Sequence, residues 1–170
     1  MPVIKRKFVF EKIITIIVWA IYLISLIRMF VAYNTLPIEI GVHFSADGSF
    51  DVIADKKFAW YPYVVSVIVL AVCELFAWVS EKIKTGFRVS KEGEAQLKRV
   101  VRIFLNIIKI CTVVLFSGIW ADCIIEQHNL NTTVAGGISI VYFLSIVAFL
   151  IAVVVIRIRS RFRSKYDNNI

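Results

Sequence analysis

The chain has 170 residues, of which 59% are hydrophobic, and its mean hydropathy is +0.81. Soluble domains contain about 45–50% apolar residues, so a water-soluble fold of this size could not bury so much apolar surface. The formal charge of +8 would suggest nucleic acid if the basic residues formed one patch, but they are divided among separate segments. Composition therefore excludes a soluble domain and a nucleic-acid-binding protein, and it predicts an integral membrane protein.

Four apolar blocks are long enough to cross a hydrocarbon core of about 30 Å, which requires about 20 helical residues. They predict an all-α fold, an integral membrane four-helix bundle that forms a single domain over residues 1–170. The predicted helices run from Ile13 to Tyr33, Phe58 to Val79, Ile103 to Ile125 and Gly136 to Ile156.

The basic residues predict the topology. Sixteen of the twenty Lys and Arg residues lie before the first block, between the second and third, or after the fourth. The positive-inside rule then places both termini in the cytoplasm and the loops 34–57 and 126–135 outside a bacterial plasma membrane. The partners implied are the lipid bilayer and, at the basic tail, its anionic headgroups. The arginines of that tail are Arg157, Arg159, Arg161 and Arg163.

The first outer loop, residues 34–57, has the pattern of a compact folded segment. Pro37 turns the chain away from the first helix, and the pair Asp47 and Gly48 is a turn signal that requires a positive φ. Apolar residues alternate with polar or small ones between these points, which predicts a short, half-buried extended segment. The apolar members are Ile38, Ile40, Val42 and Phe44.

The polar side chains of this loop either hold it together or bind a ligand. One histidine with aspartates at spacings of four is a weak set of metal ligands, so no metal and no cofactor is expected. We expect hydrogen bonds of His43 and Asp51, and a contact between Asp51 and Lys56, to hold the loop. Loops on rigid helices are common binding sites. The candidate binding residues are His43, Phe44, Asp47, Gly48, Asp51 and Lys56.

The same stretch resembles a bacterial membrane family, a domain of unknown function also found at the N-terminal end of SdpI-type immunity proteins. The family pattern is L-P-x-x-I-P-x-H-F-x-x-x-G-x-x-D followed five residues later by Lys, and Gly41 and Phe50 stand where prolines are common. In the immunity branch, the resemblance implies protection against a secreted peptide toxin and capture of a regulator at the membrane. The matching residues are Leu36, Pro37, Ile40, His43, Phe44, Gly48, Asp51 and Lys56.

Charged residues also lie inside the predicted helices. Glu74 and Lys109 share a depth on antiparallel neighbours, so we expect them to pair, with Asn106 one turn away on the same face. A structural ion pair, snorkelling, transport and proton relay all remain open for this group. Near the outer side, Arg28 is expected to contact Asp122 and so to fix helix one against helix three.

Three functions fit these features. The first is a binding module whose outer loop receives a peptide toxin or a partner membrane protein, giving immunity or sensing. The second is a small transporter that uses Glu74, Asn106 and Lys109, and the third is an accessory subunit of a membrane complex. An enzyme is not expected, because the sequence has no nucleophile-base pair, phosphate loop or metal cluster.

Overall fold

The computed structural model describes residues 2–82 and 91–167. The chain forms five α-helices, two β-strands, one 3₁₀ helix and one π-helical segment in this part. The elements in order are α1 (Pro2–Ala32), β1 (Glu39–Phe44), β2 (Phe50–Asp55), the 3₁₀ helix (Lys56–Trp60), α2 (Tyr61–Lys82), α3 (Lys91–Thr112), the π segment (Val113–Trp120), α4 (Ala121–Glu126) and α5 (Thr132–Asp167).

Four helical stretches are long and apolar enough to cross a membrane, as in a multi-pass membrane protein. They confirm the all-α prediction and match the four predicted blocks in number and order. The third stretch is continuous through α3, the π segment and α4. The four stretches are Lys12–Ala32, Lys56–Lys82, Gly93–Glu126 and Thr132–Ile158.

The helices extend further than the apolar blocks. Helix α1 begins at Pro2, α3 begins at Lys91, and α5 continues to Asp167 through the basic tail. Apolar length marks only the part of a helix that suits hydrocarbon, whereas Lys, Arg and Glu favour helix just as well outside it. The loop predicted at 126–135 is wrong in its second half, because α5 begins at Thr132, where Asn131 caps the helix by accepting a hydrogen bond from the Val134 N–H at 3.2 Å.

Successive long helices run in opposite directions, so the bundle has two different ends. The basic end carries Lys12 of α1 and the ion pair between Glu81 of α2 and Arg102 of α3, 2.6 Å apart. The hairpin end carries the two strands and the loop between α4 and α5, which meet where the Leu130 N–H donates to the Gly48 carbonyl at 2.8 Å.

The protein core lies between α1, α2 and the third membrane stretch. Helix α5 packs on α3, where the Phe104 and Phe149 rings stack at 4.4 Å. No residue in the most apolar part of α5 is buried inside the protein. Large apolar side chains cover the outer faces of the helices and would be stable only against lipid. The core includes Val18, Tyr22, Met29, Tyr63, Leu70, Val113 and Ile124.

The segment between α1 and α2 is a β-hairpin. Strands β1 and β2 pair antiparallel, with Glu39 opposite Asp55 and Gly41 opposite Ile53, and the pairing is irregular on both sides of His43. Gly48 has a φ of +86° at the tip. The predicted extended segment and the predicted positive-φ turn are both confirmed, and the hairpin projects from the end of the helices.

Candidate functional site

Strand β1 fixes the hairpin to the helix ends. Ile40 is only 1% exposed, and the Phe44 ring lies 5.8 Å from the ring of Trp120. The Gly41 N–H donates to the side-chain oxygen of Gln127 at 3.3 Å, and Gln127 is the first residue after α4. The hairpin is therefore held against a membrane-spanning helix by apolar packing and by hydrogen bonds, so its exposed strand is presented in one orientation.

Asp47 organises the turn at the tip of the hairpin. Its carboxylate accepts hydrogen bonds from the Ser45 hydroxyl, from the Ser49 N–H at 3.0 Å and from the Ser49 hydroxyl at 2.7 Å. The Ser45 hydrogen bond, followed by those of Ser49, lowers the pKa of Asp47 from its ordinary value of 3.8 to about 2. Asp47 thus stays charged and keeps the turn closed at neutral pH.

His43 and Asp51 form the predicted polar pair. The His43 Nδ1 atom lies 2.6 Å from the Asp51 Oδ1 atom, and both side chains are exposed. The predicted contact between Asp51 and Lys56 is wrong. Lys56 follows the end of β2, where its ammonium lies 5.1 Å from the centre of the Tyr33 ring and its N–H donates to the Ile38 carbonyl at 2.9 Å.

Strand β2 has an open edge. It pairs with β1 alone in the described chain, and Val52 and Ile53 are 47% and 69% exposed. Gly41 uses its N–H outside the sheet, on Gln127, so Gly41 and the opposite Ile53 form a pair without hydrogen bonds to each other. The N–H and C=O of Ile53 therefore point away from β1, toward any strand added at this edge.

The open edge is acidic. Asp51 and Asp55 lie on either side of Val52 and Ile53, and Glu39 lies opposite Asp55 in the sheet. Asp55 also accepts a hydrogen bond from the Lys57 N–H at 2.9 Å and caps the 3₁₀ helix. Ile53 shares one face of β2 with Asp51 and Asp55, whereas Val52 lies on the opposite face. An exposed aliphatic side chain between two carboxylates suits an apolar segment with positive charges.

A second polar group lies between the helices toward the basic end. The Lys109 ammonium donates to Glu74 at 2.9 Å and to the Thr15 hydroxyl at 3.0 Å, which confirms the predicted pair and adds a residue that sequence reasoning missed. The Lys109 side chain is 4% exposed and that of Glu74 is 40% exposed. Asn106 lines the same cleft as this pair.

Arg28 joins α1 to α4 toward the hairpin end. It contacts Asp122, as predicted, and also Glu126 at 2.7 Å, while the Nε2 atom of His128 lies 4.0 Å from Asp122. The two carboxylates are one turn apart on α4, so one guanidinium binds both of them. This cluster fixes the register of the first and third membrane stretches.

Buried hydroxyl groups in the middle of the bundle were missed in the sequence. The Ser117 hydroxyl donates to Ser66 at 2.8 Å, and the Tyr63 hydroxyl donates to the Ser25 carbonyl at 3.0 Å. The Ser25 hydroxyl donates to the carbonyl of Ser117, inside the π segment. The only available signal was the presence of isolated serines in apolar blocks, which cost free energy in hydrocarbon unless they are hydrogen-bonded.

No protein-family model, curated protein or solved structure matches this chain. The family resemblance therefore stays a prediction that rests on the motif residues of the hairpin. Among the residues that the structure describes, no group of three or more His, Cys, Asp or Glu side chains could hold a metal ion.

Proposed function

We propose that this chain is a bacterial plasma-membrane protein of the immunity or sensing type that recognises an extended peptide segment through its hairpin. Both termini lie in the cytoplasm in this proposal, and the hairpin lies outside. The orientation is supported by the concentration of Lys and Arg at one end of the helices, which cytoplasmic loops favour. The observation that carries the recognition is the open edge of β2, with Val52 and Ile53 exposed.

Recognition occurs by strand addition. A segment of a peptide toxin or a partner protein pairs with the outward N–H and C=O of Ile53, and main-chain hydrogen bonds supply the affinity while side-chain contacts select the sequence. The packing of Ile40 and Phe44 on the helix ends holds β2 in place before binding. Such preorganisation lowers the entropy cost of association.

The ligand is apolar and cationic. Val52 and Ile53 contact its aliphatic or aromatic side chains, and Asp51 and Asp55 attract its Lys or Arg residues. Opposite charges on the two surfaces accelerate encounter and disfavour acidic segments. The resemblance to the immunity family agrees with a ligand of this kind, a secreted peptide that reaches the outer face of the membrane.

A survival experiment tests this function. A sensitive bacterium that expresses the protein is challenged with the secreted peptides of the source strain, beside Ile53→Pro and Ile53→Thr variants at matched membrane levels. Proline removes an N–H that the hairpin itself does not use, whereas threonine keeps both that donor and the β-branched shape. We expect the wild type and Ile53→Thr to protect the cells. Ile53→Pro should lower the peptide concentration that the cells survive by about tenfold, because one hydrogen bond to the peptide is lost.

The other outcomes separate the alternatives. Equal protection by Ile53→Pro would contradict strand addition at β2, and a His43→Ala variant would then locate the binding surface near the His43 and Asp51 pair. No protection by the wild type would contradict the immunity function. It would favour an accessory subunit or a small transporter, and purification of a partner would be the next experiment.

A further inference from the structure

A cleft of about 390 Å³ opens between α1, α2 and α3 toward the basic end of the bundle. Helices α1 and α2 contact each other nearer the hairpin end, where Ser25 and Tyr63 are hydrogen-bonded. Toward the basic end, Thr15 of α1 and Glu74 of α2 both bind Lys109 of α3 instead. The two helices therefore separate, and α3 forms the floor of the cleft.

Hydrogen-bond donors line this cleft. The Lys109 ammonium donates to Thr15 and Glu74 and its side chain is only 4% exposed, so it closes the deep end of the cleft. Lys12 has no carboxylate partner within residues 12–82 and 93–158, and the Asn106 amide also has no hydrogen-bond partner there. Because Glu74 offsets the charge of Lys109, the charge of Lys12 gives the polar residues of the cleft a net positive charge.

The depth and the walls of the cleft identify the class of ligand. Arg102 pairs with Glu81 at the mouth, and Lys109 lies seven residues further along α3, about 10 Å deeper. Apolar side chains form the walls, including Leu105 and Ile16, and Ile16 is 67% exposed. A free phosphate would gain nothing from these walls, whereas a lipid with an anionic headgroup would use both the donors and the walls.

We propose that this cleft binds the phosphate of an anionic phospholipid between Lys12 and Asn106, above Lys109, with an acyl chain along Ile16 and Leu105. Basic pockets between membrane helices are typical sites for such headgroups. The site lies toward the end of the bundle opposite to the hairpin, so this proposal does not depend on the proposed recognition of a peptide. A bound lipid would fill the space between α1 and α2 and hold the two helices at their observed separation.

Native mass spectrometry of the full-length protein in detergent tests the site. The protein is titrated with phosphatidylglycerol, with phosphatidylcholine of the same acyl chains, and with inorganic phosphate as a competitor. We expect phosphatidylglycerol to bind more tightly than phosphatidylcholine, and inorganic phosphate to displace it only weakly. A Lys12→Gln variant should bind phosphatidylglycerol about fivefold more weakly, as expected for one charge removed near a membrane surface.

A Lys98→Gln variant is the matched control. Lys98 lies on α3 near the same end, where it pairs with Glu94 at 3.2 Å and does not line the cleft. Unchanged lipid binding in this variant supports the site. Equal losses in the Lys12 and Lys98 variants would overturn the site in favour of unspecific charge attraction. Equal binding of the two lipids would overturn the selectivity for an anionic headgroup, because both lipids carry a phosphate. Full displacement by inorganic phosphate would overturn the lipid source.

Discussion

Lys109 of α3 and Glu74 of α2 form an ion pair of 2.9 Å in which the two partners have unequal access to the cleft. The lysine side chain is 4% exposed and the glutamate side chain is 40% exposed. An ammonium without its counter-ion would stay buried, whereas a carboxylate without its partner could be solvated through the cleft. The free-energy cost of losing one partner should therefore depend on which partner is lost.

We expect Glu74→Leu to lower the free energy of unfolding by about 3 kcal/mol, at the lower end of the range for a broken buried pair because Thr15 still accepts from Lys109. Lys109→Leu should cost about 1 kcal/mol or less, because an aliphatic side chain suits the buried position. Unfolding titrations with a denaturing detergent measure both values. Equal costs for the two variants would contradict the unequal burial on which the prediction rests.

Arg28 should behave differently, because its ion pairs are more exposed. Asp122 and Glu126 lie one turn apart, and both bind the Arg28 guanidinium. Arg28→Gln should cost about 1 kcal/mol, since exposed pairs contribute little and the two carboxylates then repel each other. The double variant with Asp122→Asn should be more stable than Arg28→Gln alone.

A double-mutant cycle at low and high salt measures this coupling. Asp122→Asn by itself should cost less than Arg28→Gln, because the guanidinium keeps Glu126 at 2.7 Å. Strictly additive effects at both salt concentrations would show that the contact between Arg28 and Asp122 contributes nothing to the register of α1 and α4.

Apolar length predicted the membrane stretches because each must satisfy a single physical requirement, a thickness of hydrocarbon. The ends of α1 and α5 could not be predicted in the same way. Hydrocarbon thickness sets no limit on a helix beyond its apolar part, and hydropathy there does not distinguish helix from loop. The beginning of α3 at Lys91 agrees with the composition of Ser90 to Glu94, which is typical of a helix start.

The contacts of the candidate sites were predictable where they follow from helical spacing. Glu74 and Lys109 each lie seven residues from a charged boundary residue, so antiparallel neighbours place them at one depth. The position of Lys56 was not predictable, because it depends on the register of the hairpin and on the Tyr33 ring. The π segment has no sequence signature, and its carbonyl contact with Ser25 exists only after the helices pack.

Acid should open the tip of the hairpin only at very low pH. The Ser45 hydroxyl, followed by the hydrogen bonds from Ser49, lowers the pKa of Asp47 to about 2 from 3.8. A carboxyl group whose pKa is lowered by folding contributes its full stability above pH 3.8. This contribution is lost as the pH falls from 3.8 through about 2. The stability contributed by Asp47 should therefore not change between pH 5 and pH 7.

A carboxyl-carbon NMR titration of the protein in micelles measures the pKa of Asp47. We expect Asp47 to titrate near 2, and a Ser45→Ala variant to titrate closer to 3.8, because the largest cause of the shift is removed. Ser80→Ala is a suitable control, since its hydroxyl donates to the Ala77 carbonyl far from the turn. A midpoint near 3.8 in the wild type would mean that the serine hydrogen bonds do not form.

Gly48 should tolerate no side chain, for two independent reasons. Its φ of +86° is strained for any residue with a Cβ atom, and a Cβ atom there would overlap the Leu130 carbonyl oxygen. The strain alone costs about 1–2 kcal/mol, and displacement of Leu130 would also break the hydrogen bond from its N–H to the Gly48 carbonyl. We expect Gly48→Ala to lower the free energy of unfolding by about 2 kcal/mol or more.

Gly136→Ala is the matched substitution in the same chain. Gly136 lies inside α5, where a Cβ atom would meet no atom within 4 Å, so alanine should stabilise the helix by about 0.5–1 kcal/mol. Amide hydrogen exchange locates the effect, because Gly48→Ala should expose the amides of β1, β2 and Leu130 while leaving α5 protected. Normal protection of the hairpin in Gly48→Ala would contradict its docking on the loop that precedes α5, and would leave β2 without the fixed orientation that strand addition requires.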